Sequence, residues 1–493
     1  MGFAAETTND SGTHEIKDGA KGARNGSTLE ALGATLADIK RAQRKNGTPS
    51  YEARLEHLDA LKRVLLARKE EIAEAISKDF GGRSRIESLV AEVFVTVAGI
   101  DYAKEHLHDW MQTEPRDVSW TFLPGRAEVI PQPLGVVGII SPWNYPVNLA
   151  FAPLVSALAA GNRAMIKPSE LVPETSALIE KMVAEAFPRD RVTCVTGGVE
   201  VAEAFSRLPF DHLVFTGSTR VGKVVMRAAA ENLVPVTLEL GGKSPAIVGE
   251  GFSLTTAAER IMAGKLFNSG QTCIAPDYVL VPRKDLDAFV GECKVAAARL
   301  YPSFVGNADY TSIVNPRQKA RLEGYLMDAR ENGATIVSLA GNESFEGSRK
   351  MPPALVLGAK ESHAILQEEI FGPLLPILPY ETLEEAIAYV NDHPRPLALY
   401  YFEHDDEVIQ RVLSETISGG VTVNDVLLHF AQEDMPFGGV GPSGIGHYHG
   451  REGFEAFTKK KPVFYQARLN ATGVLRPPYG KLVDTFLRLL LGK

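Results

Sequence analysis

The chain has 493 residues, of which 45% are hydrophobic and 23% charged, a composition typical of a globular protein with a large core. Its 52 basic and 61 acidic residues give a net charge of -9, which argues against a nucleic-acid-binding protein. Three cysteines are too few for a disulfide framework and favour a reducing compartment, so we expect a cytoplasmic protein.

The first part of the chain predicts a tail, two helices and a hairpin. Residues 1–35 contain no apolar segment and predict a disordered tail. Apolar residues at helical spacing predict a helix that ends at Gly81 and a second helix after it. The apolar face of the second helix is expected to contain Ile86, Val90, Val93, Val97 and Ile100. Strand-like residues around Pro124 predict a β-hairpin over 118–130, either an oligomerisation arm or a plain surface hairpin.

From residue 135 onwards, apolar strands alternate with helices. The predicted strands of the first alternation are 136–140, 164–166, 192–195, 212–216 and 234–240. Such strands indicate a parallel sheet covered on both faces, whose ligands bind beyond the carboxyl ends of the strands. A second alternation over 278–424 predicts another α/β layer, with a site in the cleft between the two. No apolar run is long enough to span a membrane, and residues 482–491 predict a docked helix or, less favoured, an interfacial membrane contact.

Cys273 is the first candidate for chemistry. It lies between a helical apolar run and a β-rich one, with Gly270 before it and Pro276 after it, which predicts a turn. A thiol on a turn flanked by small residues is accessible, and its thiolate is a nucleophile. The alternative from this segment alone is a small buried core residue.

Two further residues follow predicted strands. Glu239 lies in an apolar run bounded by glycines, where its pKa should rise, so it is a candidate general base. A structural salt bridge is the alternative. Asn144 lies in a rigid turn and can donate its side-chain amide to a developing oxyanion, although this segment alone favours a turn asparagine bonded to its own backbone.

Three other segments suggest a dinucleotide, although each also occurs as an ordinary turn or surface pair. Gly217 ends a strand and precedes a helix whose N-terminal amides could bind phosphate. Lys167 and Glu170 follow another strand and could bind the hydroxyls of a ribose. Glu369 and Phe371 could bind a second ribose and pack on a nicotinamide.

Together these segments resemble the aldehyde dehydrogenase superfamily, in order and spacing, from about residue 50 to 465. The motifs that carry the resemblance are LELGGKS at 238–244 and GQTC at 270–273. The stretches MPFGGVGPSG at 435–444 and HYHG at 447–450 resemble the class 3 branch. Within that branch, AQED at 431–434 and DFG at 79–81 are similar to bacterial coniferyl aldehyde dehydrogenases.

The resemblance implies NAD(P)-dependent oxidation of an aldehyde to the acid through a cysteine thiohemiacetal and thioester. Cys273 would be the nucleophile, Glu239 the general base and Asn144 the oxyanion donor. The cofactor contacts that the resemblance implies are Trp143, Lys167, Ser169, Glu170, Gly217, Ser218, Val221, Gly222, Leu240, Glu369 and Phe371. NAD is the expected cofactor because the Glu170 carboxylate would repel a 2′-phosphate, and NADP stays possible.

The expected substrate is an aromatic aldehyde such as coniferaldehyde. A medium-chain or fatty aliphatic aldehyde is the alternative, and a non-catalytic structural relative is a second one. Relatives that acylate coenzyme A typically lack an equivalent of Glu239, which argues against that reaction. No metal is expected, because His447 and His449 have no third ligand at a suitable spacing.

The implied fold is α/β, with a Rossmann-like NAD-binding domain, a second α/β catalytic domain and an oligomerisation arm made of a β-hairpin and a C-terminal segment. The expected divisions are a tail (1–35), the dinucleotide-binding domain (36–116 and 135–241), the catalytic domain (242–437), the arm (117–134 and 455–475) and a C-terminal tail (476–493). The class 3 resemblance also implies a homodimer.

Overall fold

The computed structural model describes residues 15–470 and 472–492, and the strands in these residues form three sheets. The strands are β1 (Glu114–Arg116), β2 (Arg126–Pro133), β3 (Val136–Ile140), β4 (Arg163–Lys167), β5 (Val192–Cys194), β6 (His212–Thr216), β7 (Val236–Glu239), β8 (Pro245–Val248), β9 (Tyr278–Pro282), β10 (Thr335–Ser338), β11 (Ala354–Leu357), β12 (Leu374–Tyr380), β13 (Ala398–Phe402), β14 (Gly420–Val423), β15 (Gly444–Ile445) and β16 (Thr458–Tyr465). The α-helices are α1 (Glu15–Asn46), α2 (Tyr51–Ala67), α3 (Lys69–Phe80), α4 (Arg85–Ser88), α5 (Val95–Trp110), α6 (Asn148–Ala159), α7 (Pro173–Ala186), α8 (Val199–Ser206), α9 (Thr219–Ala230), α10 (Leu254–Leu266), α11 (Leu286–Leu300), α12 (Pro316–Glu331), α13 (Ala364–Gln367), α14 (Leu383–Asn391), α15 (Asp406–Glu415), α16 (Gly450–Ala456) and α17 (Lys481–Leu491).

The first alternation forms a sheet with the strand order β15-β7-β6-β3-β4-β5. Its strands are parallel except for β15, which pairs antiparallel with β7 so that Gly444 lies opposite Glu239. All five residues of β3 and of β4 are buried, as expected of a sheet covered on both faces. The turns after the strands therefore lie at one edge of the sheet.

The second alternation forms a seven-stranded sheet in the order β10-β11-β12-β9-β8-β13-β14. Only its edge strand β10 is antiparallel to its neighbour. Successive residues of β8 pack into different cores, since Ala246 and Val248 lie in one cluster and Ile247 in the other. The two parallel layers confirm the predicted α/β fold.

The third sheet has the order β1-β2-β16 and is antiparallel throughout. β16 pairs with the whole of β2, from Thr458 opposite Pro133 to Tyr465 opposite Arg126. The predicted strand before Pro124 is wrong, because residues 120–122 form a 3₁₀ turn and the hairpin partner of β2 is β1. The division into domains stays a prediction.

The expected disordered tail is wrong for residues 15–35, which belong to α1, while residues 1–14 lie outside the described residues. Leu32, Leu36 and Ile39 of this helix are buried in a cluster with Phe205 and Leu208. Their spacing places them on one helix face. The residues around this apolar stripe are polar or small, so the composition of the segment does not indicate a helix that packs against the core.

The predicted second helix is interrupted. Between α4 and α5 the chain forms a π-helical turn, Leu89–Phe94, whose wider winding rotates the side chains relative to an α-helix. Val93 and Ile100 are buried as predicted, but Ile86 and Val90 are exposed. The single apolar face expected from helical spacing is therefore wrong at its N-terminal end.

The C-terminal helix α17 is held by a small contact. Val483 is buried, and the Phe486 ring lies 6.3 Å from that of Trp120, whereas Leu482 and Leu489 are each 76% exposed. Among the described residues, no helix combines the length and the apolar character that crossing a membrane requires.

Candidate active site

Two cavities meet at the carboxyl edge of the first sheet. One has a volume of about 260 Å³ and an almost entirely apolar lining, and the other has a volume of about 210 Å³ and a more polar lining. Thr216, Glu239, Leu240 and Cys273 line both cavities. A molecule in either cavity can therefore reach the same thiol and carboxyl group.

The turn that presents Cys273 has an unusual backbone. After α10, Asn268, Ser269 and Gly270 all have positive φ angles, of 49°, 52° and 72°. A Cβ atom at Gly270 would lie 2.3 Å from the carbonyl oxygen of Gly372, so only glycine fits there. Cys273 is half-buried, whereas Cys194 and Cys293 are buried, which supports the turn interpretation over the core alternative.

Buried side chains hold this turn in place. The Gln271 amide donates to the carbonyl oxygens of Asn268 and Ser312, both at 3.0 Å, and its oxygen accepts from the Val314 backbone N–H at 2.9 Å. Because these bonds satisfy the whole amide of a fully buried side chain, they fix the turn against its surroundings.

Asn144 is bonded to the same turn. Its Nδ2 donates to the Gln271 carbonyl oxygen at 3.2 Å, and the Asn144 carbonyl oxygen accepts from Asn268 Nδ2 at 3.2 Å. The alternative of an asparagine bonded to its own turn is therefore wrong. The bond to the Gln271 carbonyl oxygen uses one of the two N–H groups of the Asn144 amide. Asn144 also lines the polar cavity, which Cys273 lines as well.

A buried ion pair lies behind Asn144. Arg83 Nη1 donates to Glu92 Oε1 at 3.0 Å and to the Asn144 carbonyl oxygen at 2.8 Å, and both charged side chains are inaccessible to solvent. Glu92 Oε2 accepts from the backbone N–H groups of Val147 and Asn148, at 3.0 and 2.9 Å. The pair thus connects the π-helical segment to the turn after β3.

A second carboxyl group, in α4 just before the π-helical turn, supports the cysteine turn. Glu87 Oε2 accepts from the Asn268 backbone N–H at 3.2 Å and from the Thr311 hydroxyl at 2.7 Å. Burial raises the pKa of Glu87 to about 7 against these hydrogen bonds. Neither Glu87 nor the Arg83–Glu92 pair was predicted, because their partners are far apart in sequence.

In contrast to Glu87, the Glu239 carboxyl group accepts no hydrogen bonds from the described residues. It is 2% exposed, and neither carboxyl oxygen has a hydrogen-bond partner among the described residues, so the salt-bridge alternative is wrong. Burial raises the pKa of Glu239 well above its usual value. Burial and the nearby carboxylates of Glu369 and Glu239 also raise the pKa of the Cys273 thiol to about 12.

The more polar cavity contains most of the predicted cofactor residues. Trp143, Gly217, Ser218, Leu240, Glu369 and Phe371 line it together with Asn144, Glu239 and Cys273. Glu369 packs against Gly241, where a Cβ atom would lie 2.1 Å from its Oε2, and its buried Oε1 has no partner. Burial and the charge of Asp277 raise the pKa of Glu369 to about 8. A buried carboxyl group with one unpartnered oxygen, beside the rings of Trp143 and Phe371, fits a ribose and a nicotinamide.

The other predicted cofactor residues lie outside this cavity's lining. Lys167, which is 1% exposed, donates from Nζ to Glu170 Oε2 at 2.8 Å at the end of β4. The Ser169 hydroxyl accepts from the Leu171 backbone N–H at 3.2 Å. Val221 lies in the first turn of α9, where its N–H is bonded to the Ser218 hydroxyl, and Gly222 packs under Leu240.

Several lining residues were not predicted. Those in the polar cavity include Gln318 and Arg321, and those in the apolar cavity include Tyr145, Phe430 and Tyr448. Gln318 and Arg321 are three residues apart on α12, a spacing too common in helices to indicate a ligand. No group of three or more potential metal ligands occurs within residues 15–470 and 472–492. His447 is exposed, and the buried His449 ring stacks on Phe437 at 5.6 Å.

The Arg83–Glu92 pair yields a stability prediction. The Arg83→Met variant leaves the Glu92 carboxylate buried without its counter-ion, so we expect a loss of about 3–5 kcal/mol in the free energy of unfolding. Thermal and denaturant unfolding of purified protein measure this loss. The double variant Arg83→Met/Glu92→Gln should recover part of it, because a neutral amide needs no counter-ion. Unchanged stability of Arg83→Met would contradict the role of the pair.

The comparisons with known proteins agree with this geometry. The model of the aldehyde dehydrogenase family matches residues 22–463. The chain is 53% identical to a probable coniferyl aldehyde dehydrogenase of Pseudomonas aeruginosa, over 92% of this chain and 95% of that protein.

Solved structures show the same fold. The substrate-bound state of Staphylococcus aureus AldH has a TM-score of 0.87 and 40% identity, covering 92% of this chain and 99% of that one. The NAD⁺ complex of an aldehyde dehydrogenase from Bacillus cereus has a TM-score of 0.81 and 28% identity, covering 89% of each chain. The chain therefore belongs to the aldehyde dehydrogenase family and is an NAD(P)-dependent aldehyde dehydrogenase.

Proposed function

We propose that this enzyme oxidises an aromatic aldehyde, such as coniferaldehyde, to its carboxylic acid through a thioester on Cys273. The observation that carries the proposal is that Cys273 and Glu239 line both the apolar cavity and the polar one. An aldehyde in the apolar cavity and a dinucleotide in the polar one would therefore meet at the thiol. The similarity to the Pseudomonas protein named a probable coniferyl aldehyde dehydrogenase supports the choice of substrate.

Cys273 attacks the aldehyde carbon, and the negative charge moves to the former carbonyl oxygen. The free N–H of the Asn144 amide and the Cys273 backbone N–H are the donors for this oxyanion, each worth roughly 2.7–4 kcal/mol in such sites. The backbone N–H groups of Cys273 and Ile274 also favour the thiolate, against the larger effect of burial on the pKa of the thiol. The Gln271 carbonyl holds Asn144 in place for this role.

The cofactor residues act by binding and orientation. Lys167 and Glu170 would hold the adenosine ribose, the start of α9 at Ser218 the phosphates, and Glu369 with Phe371 the nicotinamide end. When bound, the oxidised dinucleotide would supply the acceptor for the hydride that leaves the thiohemiacetal carbon as the Cys273 thioester forms, and it would bring positive charge to the site.

Glu239 is the base for the second half of the reaction. A water molecule attacks the thioester carbon, Glu239 takes one of its protons, and the thiolate leaves. Burial raises the pKa of Glu239 well above its usual value, and a higher pKa makes the ionised carboxylate a stronger base. Its lack of a salt bridge leaves both oxygens free for water.

The aromatic side chains that line the apolar cavity support the proposal of an aromatic substrate. The rings that line it are those of Tyr145, Phe267, Phe430, Phe437 and Tyr448. Aliphatic side chains, such as Leu149, Leu397 and Leu428, line it as well, so a medium-chain aliphatic aldehyde is the second candidate.

We further propose that the enzyme acts as a homodimer in the cytoplasm. Three free cysteines support a reducing compartment. Near the β1-β2-β16 sheet, Trp120, Leu123 and Phe464 are 62%, 55% and 48% exposed, as expected of a surface that a second copy covers.

The substrate proposal is tested by incubating the protein with NAD⁺ and either coniferaldehyde or hexanal, with the acids quantified by chromatography. We expect a higher kcat/KM for coniferaldehyde, no stimulation by coenzyme A, and no acid from the Cys273→Ala control. A preference for hexanal would favour the aliphatic alternative. Acid formation from neither aldehyde would contradict the proposal and favour a non-catalytic relative.

The cofactor preference yields a second prediction. Glu170→Gln removes the negative charge that would face a 2′-phosphate, so kcat/KM with NADP⁺ relative to NAD⁺ should rise by about tenfold, or ~1.4 kcal/mol. Glu174→Gln, in the first turn of α7, is the matched control and should leave the ratio unchanged. An unaltered ratio in Glu170→Gln would remove this residue from cofactor selection.

A further inference from the structure

A third cavity, which the reaction does not use, lies at the amino edge of the first sheet. Arg163 is the first residue of β4, Arg191 and Asp211 immediately precede β5 and β6, and all three line this cavity. Lys40 and Arg44, near the C-terminal end of α1, line it as well. This basic cavity has a volume of about 380 Å³ and lies at the opposite edge of the sheet from the active site.

The basic cavity has a local excess of positive charge. Among the described residues, four basic side chains and one acidic side chain line it, although the whole protein has a net charge of -9. The acid, Asp211, is already bonded, because its Oδ1 accepts from Lys40 Nζ at 3.1 Å and its Oδ2 from the Val136 backbone N–H at 2.7 Å. Asp211 therefore neutralises Lys40 and leaves the charges of three arginines uncompensated within the lining.

Arg163 is buried in the wall of this cavity with unused donors. Its side chain is 2% exposed, and Nη1 donates to the Asp190 carboxylate at 3.2 Å and to the Asp190 carbonyl oxygen. Its Nε and Nη2 groups have no hydrogen-bond partner among the described residues. A guanidinium group carries five N–H donors, and buried donors without an acceptor are costly. An anion in the basic cavity would supply these acceptors.

Arg191 lies near Arg163 without an ion pair of its own. It is half-buried, and its guanidinium group makes no hydrogen bond or ion pair with the described residues. Burial and the positive charge of Arg163 lower the pKa of Arg191 to about 10, although the charge of Asp190 acts against them. Burial and the charges of the two arginines also lower the pKa of His57 to about 4. Two separate groups thus respond to the same excess of positive charge.

A third buried guanidinium group lies behind the wall of the basic cavity, at Gly161. A Cβ atom at Gly161, whose φ is 88°, would lie 2.8 Å from Arg54 Cζ. Arg54 is 3% exposed and donates to the carbonyl oxygens of Pro49 and Ala159, at 3.3 and 2.9 Å. It has no carboxylate partner among the described residues. Because Gly161 has no side chain, this charge approaches the cavity and adds to the attraction for an anion.

Uncharged donors in the lining fit the same kind of ligand. Gln43, Thr48 and Gln132 line the basic cavity, and their side chains make no hydrogen bond with the described residues. Amide and hydroxyl groups can donate to the oxygens of an anion that the arginines attract.

We propose that the basic cavity binds an anion with a phosphoryl group, held by Arg163 and Arg191 at the sheet and by Arg44 of α1. A phosphoryl group carries roughly two negative charges near neutral pH and three acceptor oxygens, which match the fork of donors on an arginine. The group can belong to a free anion such as pyrophosphate or to a nucleotide. This site is separate from the one where the aldehyde reacts, and the proposal does not rest on the proposed function.

The test is isothermal titration calorimetry of the full-length protein at constant ionic strength, with saturating NAD⁺ so that the dinucleotide site is occupied. Inorganic pyrophosphate and ADP are titrated separately into wild-type protein, Arg191→Gln and Arg189→Gln. We expect saturable binding in the wild type and roughly tenfold weaker binding in Arg191→Gln, because a hydrogen bond to a charged group is lost. Tighter binding of ADP would assign the site to a nucleotide, and equal or tighter binding of pyrophosphate would assign it to a free phosphoryl anion.

Arg189→Gln is the matched control, since this exposed cation lies two residues away and outside the cavity lining, and it should bind as the wild type does. Absence of saturable binding to the wild type, or equal affinity in the wild type and Arg191→Gln, would overturn the proposal.

Thermal unfolding gives a second readout. Without an added anion, Arg191→Gln should melt at or above the wild-type temperature, because its repulsion with Arg163 is lost. Pyrophosphate should raise the Tm of the wild type more than that of Arg191→Gln, since a ligand stabilises the folded state that binds it. If Arg191→Gln melts well below the wild type without an anion, Arg191 has a structural role and the proposal is wrong. Both readouts are independent of aldehyde oxidation.

Discussion

The desolvation of Glu239 is the constraint on which the site depends. A carboxylate without a hydrogen-bond partner is costly to bury, and the fold nevertheless places this one at the end of β7, where both cavities meet. A salt bridge would have reduced the free-energy cost of burying Glu239, but it would also have lowered the pKa of this carboxyl group and occupied its oxygens. The unpaired state keeps the group available to water beside Cys273.

The surroundings offset this cost with buried polar groups that are bonded to one another. Gln271 uses its whole amide to fix the cysteine turn, and Arg83 connects Glu92 to the backbone of Asn144. Gln271, Arg83 and Glu92 themselves line neither cavity. They act by holding the thiol and the oxyanion donor at a constant separation, which is the requirement for catalysis by a preorganised site.

The sequence predicted the parts of the site that follow from strand ends. Asn144, Gly217 and Glu239 lie at one edge because parallel strands end together. It did not predict contacts between distant segments, such as Arg83 with Asn144. It also missed α1, whose buried stripe of Leu32, Leu36 and Ile39 is diluted by polar neighbours, and the π-helical turn before α5, because one extra residue per turn is invisible in a helical pattern.

The central claim is that an acyl group forms on Cys273 and leaves only with the help of Glu239. The most direct test is the intact mass of Glu239→Gln after brief exposure to NAD⁺ and coniferaldehyde, followed by acid quenching and peptide mapping. The account predicts one acyl group per chain, on the Cys273 peptide, with about one NADH released. An unmodified Cys273 together with wild-type turnover would contradict it.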